Sequence, residues 1–347
     1  MYATSTRENV GAMMASDAVR EFIDQVDAIK EGNGVDVLLH SSGGDALAAW
    51  KLMSILRERF DQVSVLVPFM AFSAATIFAL GADEIVMHPH ASLGPIDPQI
   101  QVTLPDGTRR AFAYEDVAAF LRFLTQEVGI TEQAYTQPLI EKLFSTVDPV
   151  IVGGAKRASE LSTSVGERLL RVHMSDADGR NRARQIAENL NKSFFAHGDA
   201  VSRTRARELD LQIAKDDKDL ERLIWEAYLG LESYMSLRKA FNPLQTFLDD
   251  AQGAAALTPS APLTLPPNAP PQLIDALWNQ VAQQALARLG NPAVQVEYLQ
   301  INAVIESPRV ASEHSTTGRI TATRAIGGDI QISMVATKGG WQSTPIT

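Results

Sequence analysis

Val35-Asp36-Val37-Leu38-Leu39-His40-Ser41-Ser42-Gly43-Gly44-Asp45 is an apolar run that ends in a glycine turn. A helical pattern follows over 46–60, then a second apolar run over 63–68. That run leads into Phe69-Met70-Ala71-Phe72-Ser73-Ala74-Ala75-Thr76, and a third run, Glu84-Ile85-Val86-Met87, follows. Strand, turn and helix repeated in this order predict right-handed βαβ units over a parallel sheet. Ligands and catalytic groups of such sheets gather at the carboxyl ends of the strands. Both small-residue turns fall there.

Ser73 sits where an extended segment becomes a helix, among the small residues Ala71, Ala74 and Ala75. Unpaired N–H groups and partial positive charge at a helix start favour an alkoxide or an oxyanion. Gly43 and Gly44 lack Cβ atoms and can turn their amides into a cleft. A nucleophile on one turn with amide donors from Gly43, Gly44 and Ala74 forms part of an acyl-transfer site. A small serine at a tight helix–sheet contact is the competing structural explanation.

Ser-Ser-Gly-Gly-Asp, Phe-Ser-Ala-Ala, Gly-Ala-Asp-Glu-Ile-Val-Met and Ser-Leu-Gly-Pro-Ile-Asp-Pro-Gln together resemble the serine dehydrogenase proteinase family. This family is a branch of the signal peptide peptidase A group within the Clp-protease/crotonase fold. The resemblance is dense over 35–100 and continues loosely to about 215 through Phe195-Ala196-His197-Gly198-Asp199-Ala200 and Ala206-Arg207-Glu208-Leu209-Asp210-Leu211. It implies an α/β fold with a ββα core, a parallel sheet and covering helices. It also implies a serine endopeptidase working as a homo-oligomer, with a Ser/Lys dyad and no cofactor. Clp-type proteases carry a histidine after the nucleophile helix; the matching Ser92-Leu93-Gly94-Pro95 has none. Lys156, in Val152-Gly153-Gly154-Ala155-Lys156-Arg157, is the expected base, with Lys142 the alternative. His40, His88 and His90 read as strand-end or loop residues. A lysine base near neutrality must fall roughly 3 units below its free value of about 10.4, which requires burial or a nearby cation such as Arg157.

A 45% apolar, 21% charged chain of 347 residues is long enough for two domains. Its net charge of −10 argues against nucleic acid as a partner. Without cysteine there is neither a disulfide framework nor a thiol nucleophile, and no metal-ligand spacing appears among the six histidines. The start of the sequence lacks signal-peptide character. Its apolar stretch 69–82 is shorter than the roughly 20 residues that span a bilayer. These features lead to the expectation of a cytoplasmic protein acting on peptide or protein substrates.

Further elements are expected as a strand ending near Thr6, a helix over 17–29, and a hairpin turning at Asp106-Gly107. Helices follow over 114–129, 131–145, 149–173, 178–195, 202–209, 217–234 and 275–289. Residues 246–272, rich in proline and alanine, read as a linker between a protease domain, 1–245, and a small αβ or β module, 273–347. The module's strands are expected over 294–301, 318–324 and 329–336, the last two joined across Ile326-Gly327-Gly328. Two other functions remain open: a silent scaffold of the same fold, and a crotonase-type acyl-CoA enzyme using the glycine amides without a nucleophilic serine.

Overall fold

The computed structural model describes residues 1–103, 107–192, 199–258, 270–290, 294–324 and 329–346. The chain begins with β1 (Tyr2–Thr4), α1 (Ala18–Ala28), β2 (Gly34–His40), α2 (Ala46–Arg59) and β3 (Gln62–Val67). It continues through β4 (Met70–Ala71), α3 (Ala74–Leu80), β5 (Glu84–Met87) and β6 (Ser92–Leu93). The hairpin β7 (Ile100–Thr103) and β8 (Arg109–Phe112) precedes α4 (Tyr114–Arg122), a π-helical turn (Phe123–Glu127), α5 (Gln133–Phe144), α6 (Pro149–Leu170) and α7 (Ala177–Lys192). Then come β9 (Val201–Ser202), α8 (Arg203–Glu208), α9 (Lys218–Tyr234), α10 (Pro243–Asp249), α11 (Ala251–Leu257) and α12 (Pro271–Gly290). Three long strands close the chain, β10 (Gln295–Glu306), β11 (Val310–Arg324) and β12 (Ile330–Pro345).

The main sheet has the order β12-β11-β10-β1-β2-β3-β5. β1, β2, β3 and β5 run parallel, while β10 joins β1 antiparallel. The parallel strands are apolar because both their faces are covered. On one face, Phe22 of α1, Leu52 of α2, Phe78 of α3, Leu169 of α6 and Leu190 of α7 share a core with Val65 and Leu39. On the other, Leu231 and Met235 from the end of α9 pack with Ala3 and Val304. This is the α/β architecture, parallel sheet and covering helices, that the sequence predicts.

Sequence reading separates residues 273–347 from the protease core. The structure instead builds β10–β12 into the same sheet, with Tyr2, Ala3 and Thr4 paired to Ile305, Val304 and Ala303. Part of the supposed linker is helical: Asp250 caps α11 by accepting from Gln252 N and Gly253 N, both at 2.9 Å. Phe247 and Leu257 from α10 and α11 then pack on Val296, Tyr298 and Ile320. The strands also run longer than their alternation suggests. Asp106, the 193–198 part of the closing motif, 259–269 of the linker and Ile326-Gly327-Gly328 lie outside the described residues.

Candidate active site

β2 and β3 end side by side, and the turns that follow them are joined. Ser41 N donates to Met70 O at 3.1 Å, and Phe72 N donates to Ser41 O at 3.0 Å. Gly43 (φ 105°) and Gly44 (φ 148°) occupy backbone conformations that L side chains rarely adopt. A Cβ on Gly43 would lie 2.5 Å from Phe72 O and 2.7 Å from Ser73 Cβ, so the glycine turn abuts the serine. A Cβ on Gly44 would lie 2.2 Å from Met14 O. Met14 locks the turn, accepting from Asp45 N at 2.8 Å and donating to Gly43 O at 2.7 Å.

Ser73 stands at the N-cap of α3 with φ 53° and ψ −118°, and its side chain makes no capping bond. A non-glycine residue in this region stores of order 1–3 kcal/mol of strain. The strain directs a serine at a helix start away from its usual capping role. Ala74 follows as the first helical residue, where an amide has no partner within the helix.

Of the three expected donors, Gly43, Gly44 and Ala74, the first is engaged within its own turn. Gly43 N already donates to Ser41 Oγ at 3.0 Å, and Ser41 Oγ lies 2.7 Å from Thr4 Oγ1. Gly43 therefore serves close approach of the two turns, while Gly44 and Ala74 line the cleft beside Ser73. Thr76, not singled out by sequence, is fully buried below them. Its Oγ1 lies 2.7 Å from Ala71 O and 2.9 Å from Gly94 O and accepts Gly94 N–H at 3.0 Å. A threonine inside the otherwise apolar Ala74–Leu80 run was the available signal.

The cleft above Ser73, about 370 Å³, is also lined by Met13, Ile77, Ile96, Pro98, Leu161 and Ser162. Ser162 Oγ donates to Ile96 O, while Ile96 N donates to Leu190 O at 2.9 Å. Both backbone groups of this wall residue are thus tied to covering helices. Asp45 at the rim caps α2, accepting from Leu47 N at 2.8 Å.

The structure brings Ser73, Gly43, Gly44 and Ala74 together but does not bring Lys156 to them. Ala158, Leu161 and Ser162 present α6 to the cleft. Lys156 is two positions before Ala158, about 200° around the helix. Its side chain is 55% exposed, with Nζ 3.6 Å from Glu160 Oε1. Lys142 is exposed on α5. Among the described residues, no lysine or histidine lines the cleft.

The strand-end histidines belong to a neighbouring aromatic cluster. His88 stacks on Trp225 at 4.7 Å, and His90 meets both edge-on. Burial, then the charge of His90, lowers the His88 pKa. His40 is fully buried against Phe69 and Tyr228. Its Nε2 lies 3.0 Å from Thr6 Oγ1, Nδ1 has no partner, and burial pushes its pKa down to about 4.

Residues 12–110 match the family of ClpP-like SDH-type serine proteinases. That span holds both turns and Ser73. Two uncharacterized proteins of Methanocaldococcus jannaschii are also similar. One is 26% identical over 193 residues, covering 56% of this chain and 56% of the relative. The other is 27% identical over 194 residues, covering 56% and 58%. The chain thus spans just over half the length of these relatives. A solved structure of a 1510-N membrane-bound stomatin-specific protease mutant with a substrate peptide is 15% identical, with a TM-score of 0.37 over 60% of this chain and 73% of that one. ClpP1 from Listeria monocytogenes is 12% identical, with a TM-score of 0.32 over 61% and 92%. At such scores neither likeness assigns a role to a residue. No described helix is long and apolar enough to cross a membrane.

Proposed function

We propose that this chain is a serine peptidase in which Ser73 attacks the carbonyl carbon of a peptide bond. The observation that carries this reading is the strained, uncapped Ser73 held against a positive-φ glycine turn in an open cleft. Attack would form the Ser73 Oγ–carbon bond and place negative charge on the carbonyl oxygen, beside the Gly44 and Ala74 amides. Collapse would release the amine with the proton taken from Ser73, and water would then hydrolyse the acyl-enzyme. A crotonase-type reaction uses the amides alone and gives no reason for strain at a serine.

The proposed proton acceptor is a lysine amine, as the family resemblance implies. Lys156 is its candidate because it lies on the helix that walls the cleft. To act, it must leave Glu160, and α6 must turn a different face toward Ser73 from the one that lines the cleft here. Lys156→Arg would be as inactive as Lys156→Ala, since guanidinium stays protonated. Activity surviving both changes removes Lys156 from the mechanism, and loss with Lys142→Ala instead moves the base to α5.

Fluorophosphonate labelling tests the nucleophile. Wild type is expected to label covalently and cleave an unstructured protein substrate, while a folded Ser73→Ala variant does neither. Equal labelling or cleavage by that variant would end the proposal.

A further inference from the structure

Met13 lines the Ser73 cleft and is 69% exposed. The residue after it explains that exposure. Met14 pairs with Gly44 as a parallel bridge, its N–H donating to Gly43 O and its carbonyl accepting from Asp45 N. Side chains alternate along an extended segment. Met14 is fully buried in the core, so Met13 is turned out into the cleft. The cleft also holds Ile77 and Ile96, both 1% exposed and packed in that core. These two are fixed surfaces, whereas Met13 is unpacked. An unbranched side chain with a polarizable thioether adapts to partners of different shape.

We propose that Met13 determines specificity, packing onto an apolar substrate side chain seated against Ile77 and Ile96. The proposal rests on the peptidase reading for the kind of ligand, a peptide. Because Met13 adapts, leucine and phenylalanine side chains should be accepted alike. The same exposure makes the contact sensitive to oxidation. Among the nine methionines, Met14, Met53, Met87, Met174 and Met235 are buried, and Met1 and Met70 are half-buried. Met334, 47% exposed, does not line the cleft. Hydrogen peroxide therefore meets Met13 first. Its O–O bond breaks, one oxygen bonds to Sδ and the other leaves as water, the peroxide taking two electrons from sulfur. The polar sulfoxide no longer suits an apolar contact.

Peptide binding to the full chain carrying Ser73→Ala tests this without turnover, by fluorescence anisotropy. The peptides differ at one position: leucine, phenylalanine or alanine. Met13→Ala should weaken the leucine and phenylalanine peptides roughly tenfold, and the alanine peptide about twofold or less. Met13→Leu should recover most of the loss. Met13→Ile, stiff at its β-branch, should separate leucine from phenylalanine. Peroxide should weaken the leucine peptide where Met13 is present and spare the Met13→Leu chain, with mass spectrometry placing one added oxygen on Met13. The bonds to the glycine turn come from the Met14 backbone, so these variants should keep the parent melting temperature. Equal binding of the leucine peptide by Met13→Ala would overturn the proposal. So would no binding of any peptide, or equal loss to peroxide in Met13→Leu. Fluorophosphonate labelling of the wild type judges the peptidase reading separately, so each can fail alone.

Discussion

At Ser73, conformation and chemistry act against each other. Glycine adopts φ near 53° without the Cβ penalty, so Ser73→Gly should relieve strain. It should stabilise the protein by about 1 kcal/mol while abolishing labelling. Urea unfolding at constant m-value measures this, and a less stable glycine variant would show that Ser73 is unstrained. His40 offers a second test, with its sign set by burial. Its folded-state pKa of about 4 lies below the unfolded value of 6.5, so the unfolded chain binds the proton first as pH falls. Stability is therefore full above pH 6.5 and declines toward pH 4, by about 3 kcal/mol from this group. His40→Gln should flatten the pH dependence between those limits, and an unchanged slope would assign it to other groups. The turn that carries the proposed nucleophile was legible in sequence because small residues flank a serine at a strand–helix junction. The partner of Gly43 N–H was not, because Ser41 looks no different from Ser42 until the backbone folds around it.

Among the elements, the glycine turn is the most exacting. Gly44 combines φ 148° with Met14 O pressed against the position of a Cβ. Gly44→Ala should lower turnover roughly 10²–10³-fold through loss of one aligned donor, and should lower the melting temperature. Steady-state kinetics would locate the defect: a rise in KM at constant kcat would make the turn a substrate clamp instead. The strands and helices from β2 to β5 were legible because apolar runs alternate with punctuating glycine and small-residue turns. α6 was legible too, with Asp148 capping Val150 N at 2.7 Å and Pro149 in the first turn. The direction of Lys156 was not. Small residues around it suggested burial, but Ala155, Ser159 and Ser162 are the buried ones, and helical geometry turns the next position outward.

For the whole molecule, the decisive contact is the one sequence conceals. β1 is three residues long, too short to announce that it pairs on both edges, with β2 on one side and β10 on the other. The C-terminal strands are held further by α1: Gln25 Nε2 donates to Ser312 Oγ at 2.9 Å, and Trp341 Nε1 to Asp17 Oδ2 at 2.8 Å. Removing residues 291–347 would open an edge along Tyr2–Thr4 and uncover Phe247 and Leu257. An open strand edge beside newly exposed apolar surface favours aggregation. The truncated chain should therefore be poorly soluble, or bind hydrophobic dye without a cooperative melt. The effect should reach the cleft as well, because Thr4 meets Ser41, which receives the Gly43 amide. Fraying of β1 would loosen that turn, so any soluble truncated protein should label weakly at Ser73. Faster hydrogen exchange at residues 2–4 and 34–43 would trace the path. A truncated chain with the full-length melting temperature and labelling rate would establish 273–347 as the separate module that composition alone suggests.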